Sequence, residues 1–263
     1  MPAYVLRPGW ETGPDGTPYE DVPDVAIDRD GNVLVLVRKP RAAVHVFTRE
    51  HEHVATWGHD TLSADPHGIT VAPDGTVYVV DRGADAVLHH TATGRLLRTL
   101  SGRFAMPTAL AVAPDGDLFV SDGYRHTVVH RFAPDGTHRR TWGEFDIPHH
   151  VAFDAAGRLW VADREHHRIQ AFTVDGALVE TIPAHRPCAV LPHAGGLLVA
   201  ELGATVSAIQ DGSRTPVIEG LTAAHGLALD DRGAVYVAEV TDAFTRGQAP
   251  AGTPALRKYE LSR

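Results

Sequence analysis

The sequence contains one unit repeated six times, and this periodicity is the strongest constraint on its fold. Each copy carries a glycine in a predicted hairpin turn, and neighbouring turn glycines lie 38 to 44 residues apart. The turn glycines are Gly31, Gly75, Gly116, Gly157, Gly195 and Gly233. A period of about 40 residues without a long helical pattern is typical of a β-propeller, in which each repeat forms one blade.

The second copy, residues 67–102, shows the strand content of one unit. A short alternating strand precedes the Asp74-Gly75 turn, where glycine tolerates a positive φ angle. Three further strands are predicted at residues 77–80, 86–90 and 95–100. Four antiparallel strands in one repeat make one blade, so we predict an all-β, six-bladed propeller.

The two ends of the chain indicate how the ring closes. The sixth copy has only three strands, the last at residues 255–261, whereas residues 3–10 resemble a lone fourth strand. We predict that this N-terminal strand completes the last blade, because such closure leaves no exposed strand edge. The sequence has no linker, and residues 1–263 are predicted to form a single propeller domain.

Composition argues against several classes of partner. The net charge is −9, and the cations form only short groups such as Arg139-Arg140, which disfavours binding to nucleic acid. The sequence has no apolar run long enough to span a membrane and no secretory signal at its start. One cysteine, Cys188, allows no internal disulfide and favours a reducing, cytoplasmic location. We take a monomer as the expectation.

Three histidines occupy one position of alternate copies. The position eight residues before the turn glycine holds, copy by copy, Pro23, His67, Thr108, His149, Pro187 and His225. It precedes the innermost strand and opens onto the central channel, and alternate blades lie about 120° apart. Three imidazoles so placed converge on one point and leave zinc an open position for water or substrate. Other divalent transition metals also accept imidazole, and histidines that only hydrogen-bond in the channel are the alternative.

Further polar residues follow the second strand, which returns to the same face of the ring. Arg38, Tyr124 and Arg164 lie there in the first, third and fourth copies. A long cation near a channel either pairs with a carboxylate or binds an anion, and residue type alone leaves both open. Beside a metal and two guanidiniums, the Tyr124 phenol is suited to act as a base.

The motifs at these positions resemble a known family of propeller enzymes. The segments are PHGITVAPDGTVYVVD, PTALAVAPDGDLFVSDGYRHTVVHRF, PHHVAFDAAGRLWVADREHHRIQAF and HGLALDDRGAVYVAEV. They are of the NHL-repeat type and are similar to peptidyl-α-hydroxyglycine α-amidating lyase and its bacterial relatives. The resemblance covers nearly the whole chain and is strongest over residues 66–172.

This resemblance implies a role for each matched residue. The residues that match the ligands of a catalytic zinc are His67, His149 and His225. Those that match the catalytic and substrate-orienting residues are Arg38, Tyr124 and Arg164.

The same family holds a calcium ion on the ring axis. Backbone carbonyls matching Val25 and Ile69 contribute to that site, together with an aspartate directly after the third histidine. Here that position is Gly226, so calcium would lose a carboxylate ligand, which argues against calcium in this chain. A family methionine is also replaced, by Ala223, so the substrate need not be the family's own.

The reaction implied by the resemblance is cleavage of a carbinolamide, N–CH(OH)–COO⁻, to an amide and glyoxylate or a related carbonyl product. We therefore predict a zinc-dependent carbon–nitrogen lyase with a small or peptide-derived anionic substrate, and no nucleic-acid or membrane partner. One alternative is another metal-dependent propeller enzyme, such as a lactonase or an antibiotic-linearising lyase. The other is a non-catalytic NHL scaffold that binds protein or RNA.

Overall fold

Each repeat folds as a four-stranded antiparallel sheet in the computed structural model, which describes residues 3–262. The two innermost strands of a sheet are joined by the predicted turn, where Gly75, for example, has a φ angle of +88°. Glycine is the residue that adopts this conformation without steric cost. The six sheets confirm the prediction of an all-β, six-bladed propeller.

The first five blades run from the innermost to the outermost strand in chain order, and the sixth ends on the N-terminal strand. The strands are β1 (Tyr4–Arg7), β2 (Asp24–Ile27), β3 (Val33–Val37), β4 (Ala43–Phe47), β5 (His53–Trp57), β6 (Pro66–Val71), β7 (Val77–Asp81), β8 (Ala86–His90), β9 (Leu96–Ser101), β10 (Pro107–Val112), β11 (Leu118–Asp122), β12 (Val128–Phe132), β13 (His138–Trp142), β14 (Pro148–Phe153), β15 (Leu159–Asp163), β16 (Arg168–Phe172), β17 (Leu178–Pro183), β18 (Pro187–His193), β19 (Gly196–Glu201), β20 (Thr205–Gln210), β21 (Ser213–Ile218), β22 (Ala224–Leu229), β23 (Val235–Glu239) and β24 (Leu256–Leu261). A short helix, α1 (Thr241–Thr245), lies between β23 and β24. Within residues 3–262, no helix has the length and apolar character needed to cross a membrane.

Apolar side chains of neighbouring blades pack together and form the core between the sheets. Strand β3 is buried along its whole length. Its residues Leu34 and Leu36 pack with the second blade, whereas Val33 and Val35 pack with the sixth. Successive side chains of a strand point to opposite faces, so a middle strand serves two cores at once. This explains why these strands are continuously apolar in sequence.

The N-terminal strand closes the ring as predicted. Strand β1 pairs with β24 in antiparallel register, with Leu6 opposite Tyr259. Trp10 follows this strand and is buried between the last and first blades. Its ring centroid lies 5.0 Å from that of Tyr236 and 6.0 Å from that of Phe47. Such edge-to-face contacts add to the burial of apolar area, so the closing strand is anchored at both blades.

Candidate metal centre on the ring axis

A β-bulge places the candidate ligands at the channel. In five blades, the pairing between the first and second strands shifts by one residue. The residues left over by this shift are His67, Thr108, His149, Cys188 and His225. A bulged residue is left out of the ladder, so its side chain and its carbonyl can serve other contacts.

The fifth blade departs from the position counted in the sequence. Eight residues before Gly195 lies Pro187, but Pro187 pairs with Glu201, and the bulged residue is Cys188. This hairpin ends in the two-residue turn Ala194-Gly195 and has one residue fewer between the bulge and the turn glycine. The equivalent of the histidine position in this blade is therefore Cys188, not Pro187.

The three histidines of the even blades meet on the axis. Their ligand atoms lie within 4.8 Å of one another, and all three side chains are buried. The three pairs of rings have centroids 4.8, 4.9 and 4.5 Å apart, all in edge-to-face arrangement. The repeat register thus brings together His67, His149 and His225, as the sequence predicts.

Backbone carbonyls of the following blade fix each of these rings. Each Nδ1 lies 2.6 to 2.8 Å from such a carbonyl oxygen. The pairs are His67 with Thr108, His149 with Cys188, and His225 with Pro23. A carbonyl only accepts hydrogen bonds, so each Nδ1 carries the proton and each Nε2 keeps its lone pair. Partners of this kind orient the histidine ligands of metal sites, so the donor set fits a divalent metal.

Burial keeps the three imidazoles neutral. Desolvation lowers the pKa of each histidine well below its usual range. Neighbouring guanidiniums lower it further in all three, and neighbouring imidazoles do so for His67 and His149. The neutral imidazole is the form that binds a metal. Metal binding here would therefore need no loss of protons near neutral pH.

Tyr124 lies against the imidazoles. Its hydroxyl oxygen is 3.2 Å from Nε2 of His149 and 3.4 Å from Nε2 of His67. Nη1 of Arg164 donates a hydrogen bond to the same oxygen at 3.2 Å. The structure therefore brings Tyr124 and Arg164 together with the histidines, and their catalytic roles stay a prediction.

Arg82 belongs to the same group, although the sequence did not single it out. Its guanidinium lies 4.7 Å from the centroid of the Tyr124 ring, and that of Arg164 lies 5.3 Å from it. Asp65 accepts two hydrogen bonds from Arg82, at 2.6 and 2.7 Å. Arg82 directly follows β7 as Arg164 directly follows β15, so the repeat register was the signal that could have identified it.

Arg38 lies buried at the same end of the channel, but carboxylates hold it. It forms ion pairs with Asp21 at 2.7 Å and with Asp65 at 2.9 Å. Its Nε and Nη2 also donate to the carbonyl of Pro66, at 3.3 and 3.2 Å. Of the two alternatives for this cation, the structure shows pairing with carboxylates, and a role towards the substrate stays a prediction.

The position one residue further along the innermost strands forms a second layer, of which Asp24 and His150 reach the axial cavity. Copy by copy it consists of Asp24, Gly68, Ala109, His150, Ala189 and Gly226. The carboxylate of Asp24 accepts hydrogen bonds from the amides of Val25 and Ile69, both at 2.9 Å. The bulge also brings His150 to the channel beside His149, whereas strict strand alternation predicts that it points away.

Gly226 leaves room for the carboxylate of this layer. A Cβ atom at position 226 would lie 2.7 Å from the Cα of Asp24 and 2.9 Å from the carbonyl oxygen of Pro23. A carboxylate therefore does stand at this level, supplied by the first blade instead of the sixth. It is held by the amides of Val25 and Ile69, the residues to which the resemblance assigns calcium-binding carbonyls.

We expect the buried carboxyl of Asp24 to make the stability of the protein depend on pH. Desolvation raises the pKa of its carboxyl from 3.8 to about 7, although the two amide hydrogen bonds lower it. The protonated acid is favoured in the folded state, so its contribution is full below the unfolded pKa and is lost as the pH rises through about 7. In chelator-treated protein, the free energy of unfolding should fall by about 4 kcal/mol between a pH below 3.8 and a pH above about 7. This figure follows from the pKa difference, since one pKa unit corresponds to about 1.4 kcal/mol.

Urea unfolding at a series of pH values measures this loss. Asp24→Asn should flatten the decline, whereas Asp60→Asn, at an exposed position, should leave it unchanged. An equally steep decline in wild type and Asp24→Asn would show that other groups cause it.

Comparisons with known proteins agree with this architecture. The sequence profile of the NHL repeat matches residues 104–130 and 145–172. No curated protein matches the chain in sequence. A streptogramin B lyase structure aligns with a TM-score of 0.71 and 14% identity over 98% of each chain. A gluconolactonase from Xanthomonas campestris aligns with a TM-score of 0.72 and 20% identity over 100% of this chain and 99% of that one. Virginiamycin B lyase from Staphylococcus aureus aligns with a TM-score of 0.65 and 17% identity, covering 99% and 95%.

Identities this low show the fold alone. None of these three structures is an amidating lyase, so that resemblance stays a prediction. The chain carries NHL repeats and is a six-bladed propeller, similar in structure to propellers that serve as lyases and lactonases.

Proposed function

We propose that this protein is a metal-dependent lyase that cleaves the carbon–nitrogen bond of a carbinolamide. The observation that carries the proposal is the convergence of three buried, neutral imidazoles whose Nδ1 atoms are all engaged by carbonyls. Calcium prefers oxygen ligands, whereas this axis offers three nitrogen donors. The donor set supports a transition metal, with zinc as the first choice.

The three imidazoles would hold the metal and leave a position open towards Tyr124. Bound there, the metal would supply a Lewis acid that makes the hydroxyl group of the substrate more acidic. The residues that would hold it are His67, His149 and His225.

In this proposal, Tyr124 carries the proton that the cleavage moves. As the phenolate, its oxygen takes the proton of the substrate hydroxyl, the C–O bond becomes a carbonyl, and the C–N bond breaks with its electron pair on nitrogen. The same oxygen returns the proton to that nitrogen, so the products are an amide and glyoxylate, or a related carbonyl. Arg164 donates to the Tyr124 oxygen and would hold it in position for this transfer.

In this proposal, two guanidiniums bind the substrate carboxylate. Arg82 and Arg164 both lie against the Tyr124 ring. Each donates hydrogen bonds to one carboxylate of the protein: Arg82 to Asp65, and Arg164 to Glu165. A guanidinium has five N–H donors, so both retain donors for a planar anion. An anionic substrate bound here would present its hydroxyl to Tyr124.

A direct assay tests the proposal. Metal-loaded protein incubated with an N-acyl-α-hydroxyglycine should release glyoxylate, and chelator-treated protein should release none until metal is returned. Glyoxylate is measured by a coupled dehydrogenase. Fully metallated protein that forms no glyoxylate above the blank would refute this substrate class.

The structural similarity to streptogramin B and virginiamycin B lyases supports a second candidate, a lyase that linearises a cyclic antibiotic. The same metallated protein is therefore offered a streptogramin B antibiotic and a gluconolactone. Ring opening of the antibiotic, seen by mass spectrometry, would favour this candidate. Opening of the lactone would favour a lactonase.

A further inference from the structure

Carboxylates at the end of the second strand recur around the ring, and in most of the later blades an arginine binds them. Arg168 donates to Asp163 at 2.7 Å, and Arg214 donates to Glu201 at 2.8 Å. In the sixth blade, Arg257 and Glu239 form an ion pair with an N–O distance of 2.8 Å. These buried carboxylates thus have a permanent positive partner, because a guanidinium stays charged at any ordinary pH.

Within the described part of the chain, the second and third blades have no such arginine. In the second blade, Asp81 accepts hydrogen bonds from Ser63 and from the amide of Ala84, whereas the third blade uses histidines. Asp122 is fully buried, and Val128 stands opposite it in the sheet, where Arg168 stands opposite Asp163. Its partners among the described residues are two imidazoles and the amide of Ala105. The cation that compensates the carboxylate in the fourth to sixth blades is therefore replaced here by groups that can be neutral and offer lone pairs.

The two imidazoles and the carboxylate face one point. Nδ1 of His126 lies 2.8 Å and Nε2 of His130 lies 3.3 Å from the same Asp122 oxygen. All three ligand atoms fall within 4.8 Å of one another. The other nitrogen of His130 lies 2.8 Å from Oγ1 of Thr141, the kind of contact that orients a histidine ligand. The side chain of His126 is 47% exposed, so an ion can enter from solvent.

We propose that Asp122, His126 and His130 bind a second divalent transition metal ion, separate from the ion held by the three axial histidines. Two nitrogen donors and one carboxylate oxygen suit zinc, cobalt or nickel, and the exposed side leaves a coordination position for water. Such an ion would supply the positive charge that arginine supplies in the later blades. It would also fix both ends of the segment 122–126, because Asp122 and His126 are its first and last residues and Tyr124 is its middle residue.

Counting bound metal in matched variants tests this proposal. Protein without a polyhistidine tag is stripped with chelator, exposed to zinc, dialysed and assayed by elemental analysis. We expect about two ions per chain in wild type and about one in His126→Ala, because removing one of three ligands abolishes a site of this kind. His126 is exposed, so its replacement leaves the core intact.

His166→Ala is the matched control. Its side chain is 45% exposed, and its Nδ1 lies 2.9 Å from Asp163, but Arg168 already occupies that carboxylate. This variant should keep about two ions, as wild type does. Hydrogen exchange gives a second readout, because zinc should slow exchange of the amides of residues 123–127 in wild type and not in His126→Ala.

The variant His149→Ala separates this inference from the proposed function. Suppose that wild type binds only one ion. If His149→Ala loses this ion and His126→Ala keeps it, the second site is refuted and the axial site is supported. If His126→Ala instead loses the single ion and His149→Ala keeps it, the second site is supported and the proposed lyase loses its basis. Equal metal in wild type and His126→Ala would mean that the imidazoles only hydrogen-bond to Asp122.

Discussion

Replacement of His149 by alanine is expected to empty the axial metal site and to abolish the proposed lyase activity. Two imidazoles would remain as ligands, and alanine would leave the third ligand position to water. Loss of a partner outside the ligand set already costs 10- to 100-fold in metal affinity or activity, so loss of a ligand should cost at least ~100-fold. Chelator competition measures the affinity, and glyoxylate release measures the activity.

His150→Ala is the control for this experiment. The two histidines are neighbours in sequence, and both line the end of the channel, but His150 is not one of the three converging rings. The His150→Ala variant should bind the axial metal with the affinity of wild type. A His149→Ala protein that holds the axial metal with unchanged affinity would contradict the site, provided that its thermal melting shows it to be folded.

The repeat made most of the architecture predictable. The turn glycines set the boundaries of every blade, and the short sixth copy indicated that residues near the N-terminus close the ring. The same register located the three histidines without any alignment. These predictions held because they depend on local turn chemistry and on the geometry of a closed ring, both of which the period specifies.

The errors arose where the backbone departs from strict alternation. The bulge turns two successive residues, His149 and His150, to the channel, and a count based on ideal strands places them on opposite sides. The shorter fifth hairpin shifts the equivalent position from Pro187 to Cys188. A sequence pattern does not reveal a bulge, because the inserted residue can be of any polar or apolar type.

The side-chain contacts between neighbouring blades could not be predicted from the sequence either. Asp24 replaces a carboxylate expected at position 226 only because the two innermost strands approach closely there. Arg82 joins the site through Asp65 and the Tyr124 ring, contacts that connect different blades and a loop. Single residues matched to a family motif do not indicate such compensation, because it depends on which side chains share a volume in three dimensions.

Replacement of Tyr124 by phenylalanine is expected to reduce kcat for carbinolamide cleavage by a factor of ~10²–10⁴, the usual contribution of a positioned acid–base group. Phenylalanine keeps the ring against the guanidiniums of Arg82 and Arg164 and removes only the hydroxyl group. Metal content and KM should therefore stay close to those of wild type, since the imidazoles and the anion-binding donors remain.

Steady-state kinetics with glyoxylate detection, together with metal analysis of the same preparation, separates these effects. Tyr78→Phe removes a hydroxyl from a buried tyrosine of strand β7 and should leave kcat unchanged. A Tyr124→Phe enzyme with kcat within about threefold of wild type would exclude Tyr124 as the proton carrier, because a loss that small is well below the usual acid–base contribution. A loss of metal together with activity would instead assign the hydroxyl to the support of the imidazoles, which it contacts at 3.2 and 3.4 Å.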